Sequence, residues 1–216
     1  MTPPDRIAVL GGGAWGTALA NAAAAAGRQA TLWLRDAEAA RRLAETRENA
    51  RYLPGVRLHD RVRPTADPMD LAGTQAALLV VPAQTARAVA AALAPALPPS
   101  APLVICAKGI ERETGLFLSD AVAQARPGPV AVLSGPSFAD DVARGLPTAV
   151  TVAAADGSLA AALAGALSGP TLRMLVYLSF CVTTFFLPPG SIRGRASSSP
   201  RISASSSIVR STSRMC

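Results

Sequence analysis

Short aliphatic runs alternate with alanine-rich stretches from about Arg6 to Gly169. The runs are continuous rather than alternating with polar residues, which is typical of strands that are buried on both faces. We predict strands at Ile7–Leu10, Ala30–Leu34, Ala76–Val81, Leu103–Ala107, Val130–Leu133 and Ala149–Val152. We predict helices at Ala14–Ala26, Ala37–Arg47, Thr85–Leu97, Thr114–Ala125, Phe138–Ala143 and Ser158–Leu167.

This succession of strands and helices predicts an α/β fold with a doubly wound parallel sheet. Gly27 is placed to end the first helix and Asp36 to cap the second. Aromatic residues make up only 4% of the chain, so small aliphatic side chains, mainly alanine, must fill the core. Because half of the residues are apolar and 16% are charged, a disordered chain is excluded.

The sequence changes character near Arg173, and we predict a domain over residues 1–173 followed by a tail over 174–216. The tail opens with the apolar run Met174–Leu187 and continues after Pro188 as a Ser- and Arg-rich segment that we expect to be disordered. The 14 residues of that run fall short of the ~20 that span a bilayer. A genuine basic appendage and a reading-frame change both fit the tail, and its abrupt change in composition favours the second.

The net charge of +7 comes almost entirely from this tail. Residues 173–216 contain six arginines and no acid, whereas residues 1–172 carry a net charge of +1. A nearly neutral body argues against nucleic acid as a partner. The three cysteines, at positions 106, 181 and 216, form no CxxC motif, and the first apolar run is too short for a signal peptide. Both observations favour a cytoplasmic location.

A glycine-rich motif follows the first predicted strand and opens the first predicted helix. Its glycines, Gly11, Gly13 and Gly16, have the GxGxxG spacing of dinucleotide-binding domains. In such motifs the first glycine permits a tight turn, the second lets a pyrophosphate approach, and the third lets helix and strand pack closely. A glycine-rich turn without a ligand is the alternative, but the flanking strand and helix favour the binding function.

The residues after the second predicted strand bear on the choice of cofactor. Arg35 comes directly after that strand, where an arginine can pair with the 2′-phosphate of NADP and stack on adenine. Asp36 follows it, and we favour a helix cap over a ribose contact for this residue. The sequence therefore predicts NAD or NADP, with NADP accommodated.

Lys108 is the only lysine of the chain, beside 20 arginines, which indicates that a compact ammonium is needed there. It ends a predicted strand at the sheet edge where open α/β sheets bind ligands; a solvated surface lysine is the alternative. Ser134–Asp140 lies at the same edge, where Ser137 either forms a capping box with Asp140 or contacts a polar ligand. The single histidine, His59, has no acid or cysteine cluster beside it, so we assign it neither metal nor catalysis.

Taken together, six collinear motifs resemble bacterial NAD(P)-dependent glycerol-3-phosphate dehydrogenase over about residues 6–172. The motifs are Gly11–Gly16 with Trp15, Asn49–Gly55, Val81–Gln84, Ala107–Glu111, Ser134–Ala139 and Gly145–Ala149. The resemblance implies reduction of dihydroxyacetone phosphate to sn-glycerol 3-phosphate, a phospholipid precursor. It allows a homodimer in the intact family.

The resemblance also assigns residues. It implies cofactor contacts at Ala14, Trp15, Arg35, Lys108 and Ala139, with Tyr52 as a further candidate. It implies substrate contacts at Lys108, Gly135 and Ser137.

The family has a second, all-helical domain with another lysine for proton transfer and an Arg-Asn pair that grips phosphate and cofactor. Residues 174–216 match no part of it, and the chain has no second lysine. We therefore expect one half of an active site that is inactive alone. The alternative is a non-catalytic dinucleotide-binding module whose basic tail serves interaction or membrane association.

Overall fold

The computed structural model of the protein describes residues 1–177. The predicted disorder after Pro188, the remainder of the apolar run, Cys181 and Cys216 lie outside the described residues. Within residues 1–177, no helix is both long and apolar enough to cross a membrane.

One sheet of eight strands organises the described chain. The strands are β1 (Arg6–Leu10), β2 (Gln29–Trp33), β3 (Val62–Thr65), β4 (Ala76–Leu79), β5 (Leu103–Ile105), β6 (Val130–Ser134), β7 (Thr148–Ala154) and β8 (Leu172–Tyr177). Their order across the sheet is β3-β2-β1-β4-β5-β6-β7-β8. The helices are α1 (Ala14–Ala25), α2 (Ala37–Thr46), α3 (Ala86–Leu93), α4 (Leu118–Ala125), α5 (Ala139–Ala143) and α6 (Gly157–Leu167).

The sheet is mostly parallel, and the predicted fold class is confirmed. All pairs from β3 to β6 are parallel, whereas β7 runs antiparallel to β6, and β8 is parallel to β7. The order reverses between β1 and β4, which is the switch point where ligands bind in doubly wound sheets.

Helices cover both faces of this sheet. Along β1, Ile7 and Val9 belong to a core shared with α1, α2, α5 and α6, whereas Ala8 and Leu10 belong to a core shared with α3 and α4. Successive residues of a strand point to opposite faces, so both faces of β1 are buried. Small side chains make this packing close, because α1 buries alanine at positions 18, 20, 23 and 24.

Two strands differ from the prediction. The strand β3 contains Arg63 and Pro64, which interrupt any aliphatic run, and it lies at the sheet edge, where proline is tolerated. The strand β8 includes Met174–Tyr177, the first four residues assigned to the tail. The domain boundary at residue 173 stays a prediction.

Helix ends also differ from the predicted bounds. The third helix is shorter because Pro95 lies in a separate 3-10 turn, Ala94–Ala96, and α4 begins at Leu118 rather than Thr114. Gly27, with φ of +89°, follows the end of α1 as predicted.

Candidate functional site

The turn between β1 and α1 is closed by contacts between backbone atoms. Gly11 has φ of +126°, and a Cβ on it would stand 2.2 Å from the carbonyl oxygen of Val80. A Cβ on Gly16 would stand 1.8 Å from the carbonyl oxygen of Gly11. Both positions therefore require glycine for reasons inside the protein, in agreement with the tight turn and close packing that we predicted.

Gly13 has no such internal reason. Its φ of −77° and ψ of −176° suit any residue, and no described atom other than those of Gly13 and its neighbours along the chain lies within 4 Å of a Cβ built on it. It immediately precedes Ala14, the first residue of α1, where backbone N–H groups lack partners within the helix. The open space beside these donors fits the pyrophosphate of a dinucleotide.

A cavity of about 360 Å³ lies beside the first turn of α1. Its lining comes from the ends of β5 and β6 and the start of two helices: Trp15, Cys106, Lys108, Leu133, Ser134, Gly135, Ser137, Phe138 and Ala139. The structure thus brings together five of the predicted residues, at positions 15, 108, 135, 137 and 139. Lys108 carries the single charged side chain among these lining residues, which favours an anionic ligand.

Lys108 faces the segment that follows β6. Its Nζ donates a hydrogen bond to the carbonyl oxygen of Gly135 over 3.1 Å, and the backbone N–H of Ser137 donates to the same oxygen over 3.1 Å. The capping box between Ser137 and Asp140 does not form, because Phe138 rather than Ser137 is the N-cap residue of α5. The Asp140 carboxylate accepts from Arg144. Within residues 1–177, the Ser137 hydroxyl makes no hydrogen bond.

Gln84 holds the backbone just after Lys108. Its Nε2 donates to the carbonyl oxygen of Ile110 over 2.9 Å, and its Oε1 accepts from the backbone N–H of Arg112 over 3.0 Å. The side chain of Gln84 therefore bonds to the backbone on both sides of Glu111. Sequence reasoning included Gln84 in a motif but gave it no role.

Glu111 fixes the same loop to α3 by charge. Its carboxylate accepts two hydrogen bonds from Arg87, both of 2.8 Å, and one of 2.6 Å from the hydroxyl of Thr114. The residue is 9% exposed. These donors, Arg87 first and Thr114 second, lower the pKa of Glu111 to about 2.

Six predicted cofactor residues do not line the cavity. Four of them, Gly11, Gly13, Ala14 and Gly16, form the glycine-rich turn and the start of α1, and the other two are Arg35 and Tyr52. Arg35 is exposed beyond the end of β2, and no described residue pairs with it. Asp36 caps α2 as predicted, since its Oδ1 accepts from the N–H groups of Glu38 and Ala39. Tyr52 is 49% exposed, and the guanidinium carbon of Arg51 lies 5.0 Å from its ring centre.

Cys106, Leu133, Ser134 and Phe138 line the cavity without having been predicted. Their positions in the sequence could have indicated them, because all four lie at or after the carboxyl ends of predicted strands. Burial raises the pKa of the Cys106 thiol, and its Sγ donates to the carbonyl oxygen of Val104 over 3.6 Å. A thiol held protonated in this way is not a nucleophile.

The family model and the similar sequences compared with this chain all name glycerol-3-phosphate dehydrogenase. The family described as NAD-dependent glycerol-3-phosphate dehydrogenase N-terminus matches residues 6–160. The glycerol-3-phosphate dehydrogenase [NAD(P)+] of Methylobacterium radiotolerans is 60% identical over 81% of this chain and 53% of its own length. That of Azorhizobium caulinodans is 58% identical over the same shares. The chain thus spans about half the length of these relatives.

A solved structure agrees with the sequence comparison. The glycerol-3-phosphate dehydrogenase of Coxiella burnetii superimposes with a TM-score of 0.75 at 31% identity. The match covers 80% of this chain and 54% of the other.

The Glu111 ion pair predicts a pH dependence of stability. Because its pKa is lowered from 4.5 to about 2, the carboxylate stabilises the folded state above pH 4.5, and this contribution is lost as pH falls toward 2. We expect Glu111→Gln to lower the urea midpoint at pH 7 and the difference from wild type to shrink below pH 4.5. Urea unfolding followed by circular dichroism between pH 7 and pH 3 measures this.

Glu38→Gln is the matched control, since Glu38 pairs with Arg41 on the exposed face of α2. Its effect should be smaller at every pH. A Glu111→Gln difference that stays constant with pH would contradict the assigned role of the charge.

Proposed function

The chain belongs to the NAD-dependent glycerol-3-phosphate dehydrogenase family, and from this premise we propose that it forms the cofactor-binding half of such an enzyme. The proposed reaction is the NAD(P)H-dependent reduction of dihydroxyacetone phosphate to sn-glycerol 3-phosphate. One observation carries the proposal: Trp15, in the first turn of α1, lines the same cavity as Lys108 and Ser137. With its phosphates bound at the start of α1, the cofactor would therefore have its nicotinamide directed toward Lys108.

The proposed cofactor residues fall into groups along the edge of the sheet, and each group would contact a different part of the cofactor. Gly11, Gly13 and Gly16 with Ala14 form the phosphate turn after β1, while Arg35 and Tyr52 serve the adenosine end on the β2 side. Trp15 and Ala139 line the cavity at the nicotinamide end. NAD(P)H held by these residues would supply the hydride that reduces the carbonyl carbon of the substrate.

Lys108, Gly135 and Ser137 form the substrate wall. The Lys108 ammonium attracts the phosphate-bearing, anionic substrate and polarises its carbonyl oxygen. The carbonyl oxygen of Gly135 holds that ammonium at 3.1 Å, so its position is set before substrate arrives. The Ser137 hydroxyl is free to donate to the substrate.

The opposite side of the substrate site, its second wall, must be formed by residues other than Lys108, Gly135 and Ser137. Phe138 lines the cavity with 73% of its surface exposed, which supports an open side that further protein covers. Lys108 is the only lysine, so a second lysine for proton transfer is not in this chain. We therefore propose cofactor binding with negligible turnover for the 216-residue polypeptide. We also propose that the protein acts in the cytoplasm on a small-molecule substrate. The homodimer is proposed for the intact enzyme of this family.

The Gly13→Ala variant tests the phosphate turn. The added methyl would occupy space that no described atom fills, so we expect NADH and NADPH affinity to fall roughly tenfold or more while the fold is kept. Titration of nicotinamide fluorescence measures both affinities. Gly165→Ala, whose Cβ would meet Pro3 at an ordinary 3.6 Å, should bind like wild type. Wild-type affinity in Gly13→Ala would remove the motif from the proposal.

The Arg35→Ala variant tests the 2′-phosphate contact. A charged hydrogen bond contributes about 1.5–3 kcal/mol, so NADPH affinity should fall roughly ten- to a hundredfold while NADH affinity changes less. Competition titrations with the two cofactors give the ratio. Arg41→Ala, which removes a guanidinium paired with Glu38 and Glu45, should leave the ratio unchanged. Equal losses for both cofactors would mean that Arg35 stacks on adenine.

A chimera tests the reaction. Residues 1–172 would be joined to the matching C-terminal half of the Methylobacterium radiotolerans relative, and NADPH oxidation with dihydroxyacetone phosphate would be followed. We expect turnover from the chimera and negligible turnover from the 216-residue polypeptide, because positioning needs both walls. Comparable rates in the two would overturn the need for a second wall. A folded chimera that binds NADPH without turnover would favour the non-catalytic module with an interacting tail.

A further inference from the structure

Asn49, in the connection between α2 and β3, reaches the glycine-rich turn with its side chain. Its Nδ2 donates to the carbonyl oxygen of Gly12 over 2.9 Å and to the hydroxyl of Thr17 over 2.8 Å. Gly12 and Thr17 lie on either side of Gly13, the position left open for a ligand. Both amide protons of Asn49 are thus used to hold this turn.

The Thr17 hydroxyl gives these bonds a fixed direction. It is completely buried, and its Oγ1 donates to the carbonyl oxygen of Gly13 over 2.9 Å. Since its one proton is used there, it can only accept from Asn49. The carbonyl oxygen of Gly12 also only accepts, so the amide orientation is determined. A chain of hydrogen bonds therefore runs from Asn49 through Thr17 to Gly13.

The backbone of Asn49 shapes a second element of the proposed cofactor site. Its carbonyl oxygen accepts from the N–H groups of Tyr52 over 3.1 Å and Leu53 over 2.8 Å. Leu53 is buried, whereas Arg51 and Tyr52 stack on each other and remain exposed. One residue thus joins the turn that carries Tyr52 to the turn that carries Gly13.

We infer that Asn49 is a positioning residue for the cofactor, which holds the Gly12–Gly13 backbone and the Arg51–Tyr52 turn at a fixed separation. The inference rests on the proposed function of the glycine-rich turn. It assigns to Asn49 no donation to the cofactor, because both of its amide protons are already used within the protein.

The chain offers a matched control in Asn21. This residue of α1 donates from Nδ2 to the carbonyl oxygen of Arg57 over 3.0 Å and accepts at Oδ1 from the N–H of His59 over 2.9 Å. It ties the same connection to the same helix with the same side chain, but it makes no hydrogen bond to the glycine-rich turn.

Asn49→Ala and Asn21→Ala would be compared in the full chain at a temperature where both are folded. We expect Asn49→Ala to weaken NADH and ADP binding by about tenfold each, because ADP contains the groups that both turns face. Asn21→Ala should stay within about twofold of wild type. Hydrogen exchange of the backbone amides from Gly12 to Thr17 should accelerate in Asn49→Ala and not in Asn21→Ala.

Thr17 provides a second pair of variants if Asn49→Ala fails to fold. Thr17→Ser keeps the hydroxyl and should retain cofactor affinity, whereas Thr17→Val removes it and should reproduce the loss. Equal losses in the Asn49 and Asn21 variants, or equal affinity in the two Thr17 variants, would overturn the positioning role alone. Failure of the wild-type chain to bind NADH, NADPH or ADP would overturn the proposed function and this role with it.

Discussion

The structure depends on a contact between backbones at the start of α1. The carbonyl oxygen of Gly11 would be 1.8 Å from any Cβ on Gly16, and Gly11 itself would meet the carbonyl oxygen of Val80. The N–H of Gly11 donates to the carbonyl oxygen of Trp33 at the end of β2. One turn therefore joins the ends of β2, β1 and β4 to a helix N-terminus, and it does so only while side chains are absent.

The close contact between β1 and α1 at the glycine-rich turn also shapes the cavity. Because α1 lies so close to β1, Trp15 in its first turn reaches the space above β5 and β6, where Lys108 and Gly135 face each other. Two acids that lie near these residues in sequence are paired with arginines, Glu111 with Arg87 and Asp140 with Arg144. The ammonium of Lys108 is thus held by a neutral carbonyl oxygen, and its charge remains available to an anionic ligand.

Residues outside the site hold its backbone segments in place. Gln84 and Glu111 fix the loop behind Lys108, and Asn49 fixes the turn around Gly13. Gln84 and Asn49 bond directly to backbone groups, whereas Glu111 acts through its ion pair with Arg87 and its bond from Thr114. The site is therefore preorganised on its described wall by contacts within one domain.

The repetition of strands and helices, the GxGxxG turn and the isolated Lys108 could all be found in the sequence alone, because buried parallel strands and phosphate-binding turns leave local patterns. The sequence did not reveal β3, in which Arg63 and Pro64 hide an edge strand, or the antiparallel direction of β7, since strand direction leaves no local pattern. It also did not show that the capping box between Ser137 and Asp140 is absent. These points, and the contacts of Asn49 and Glu111, became visible in the folded chain, because each depends on residues distant in sequence that the sheet brings together.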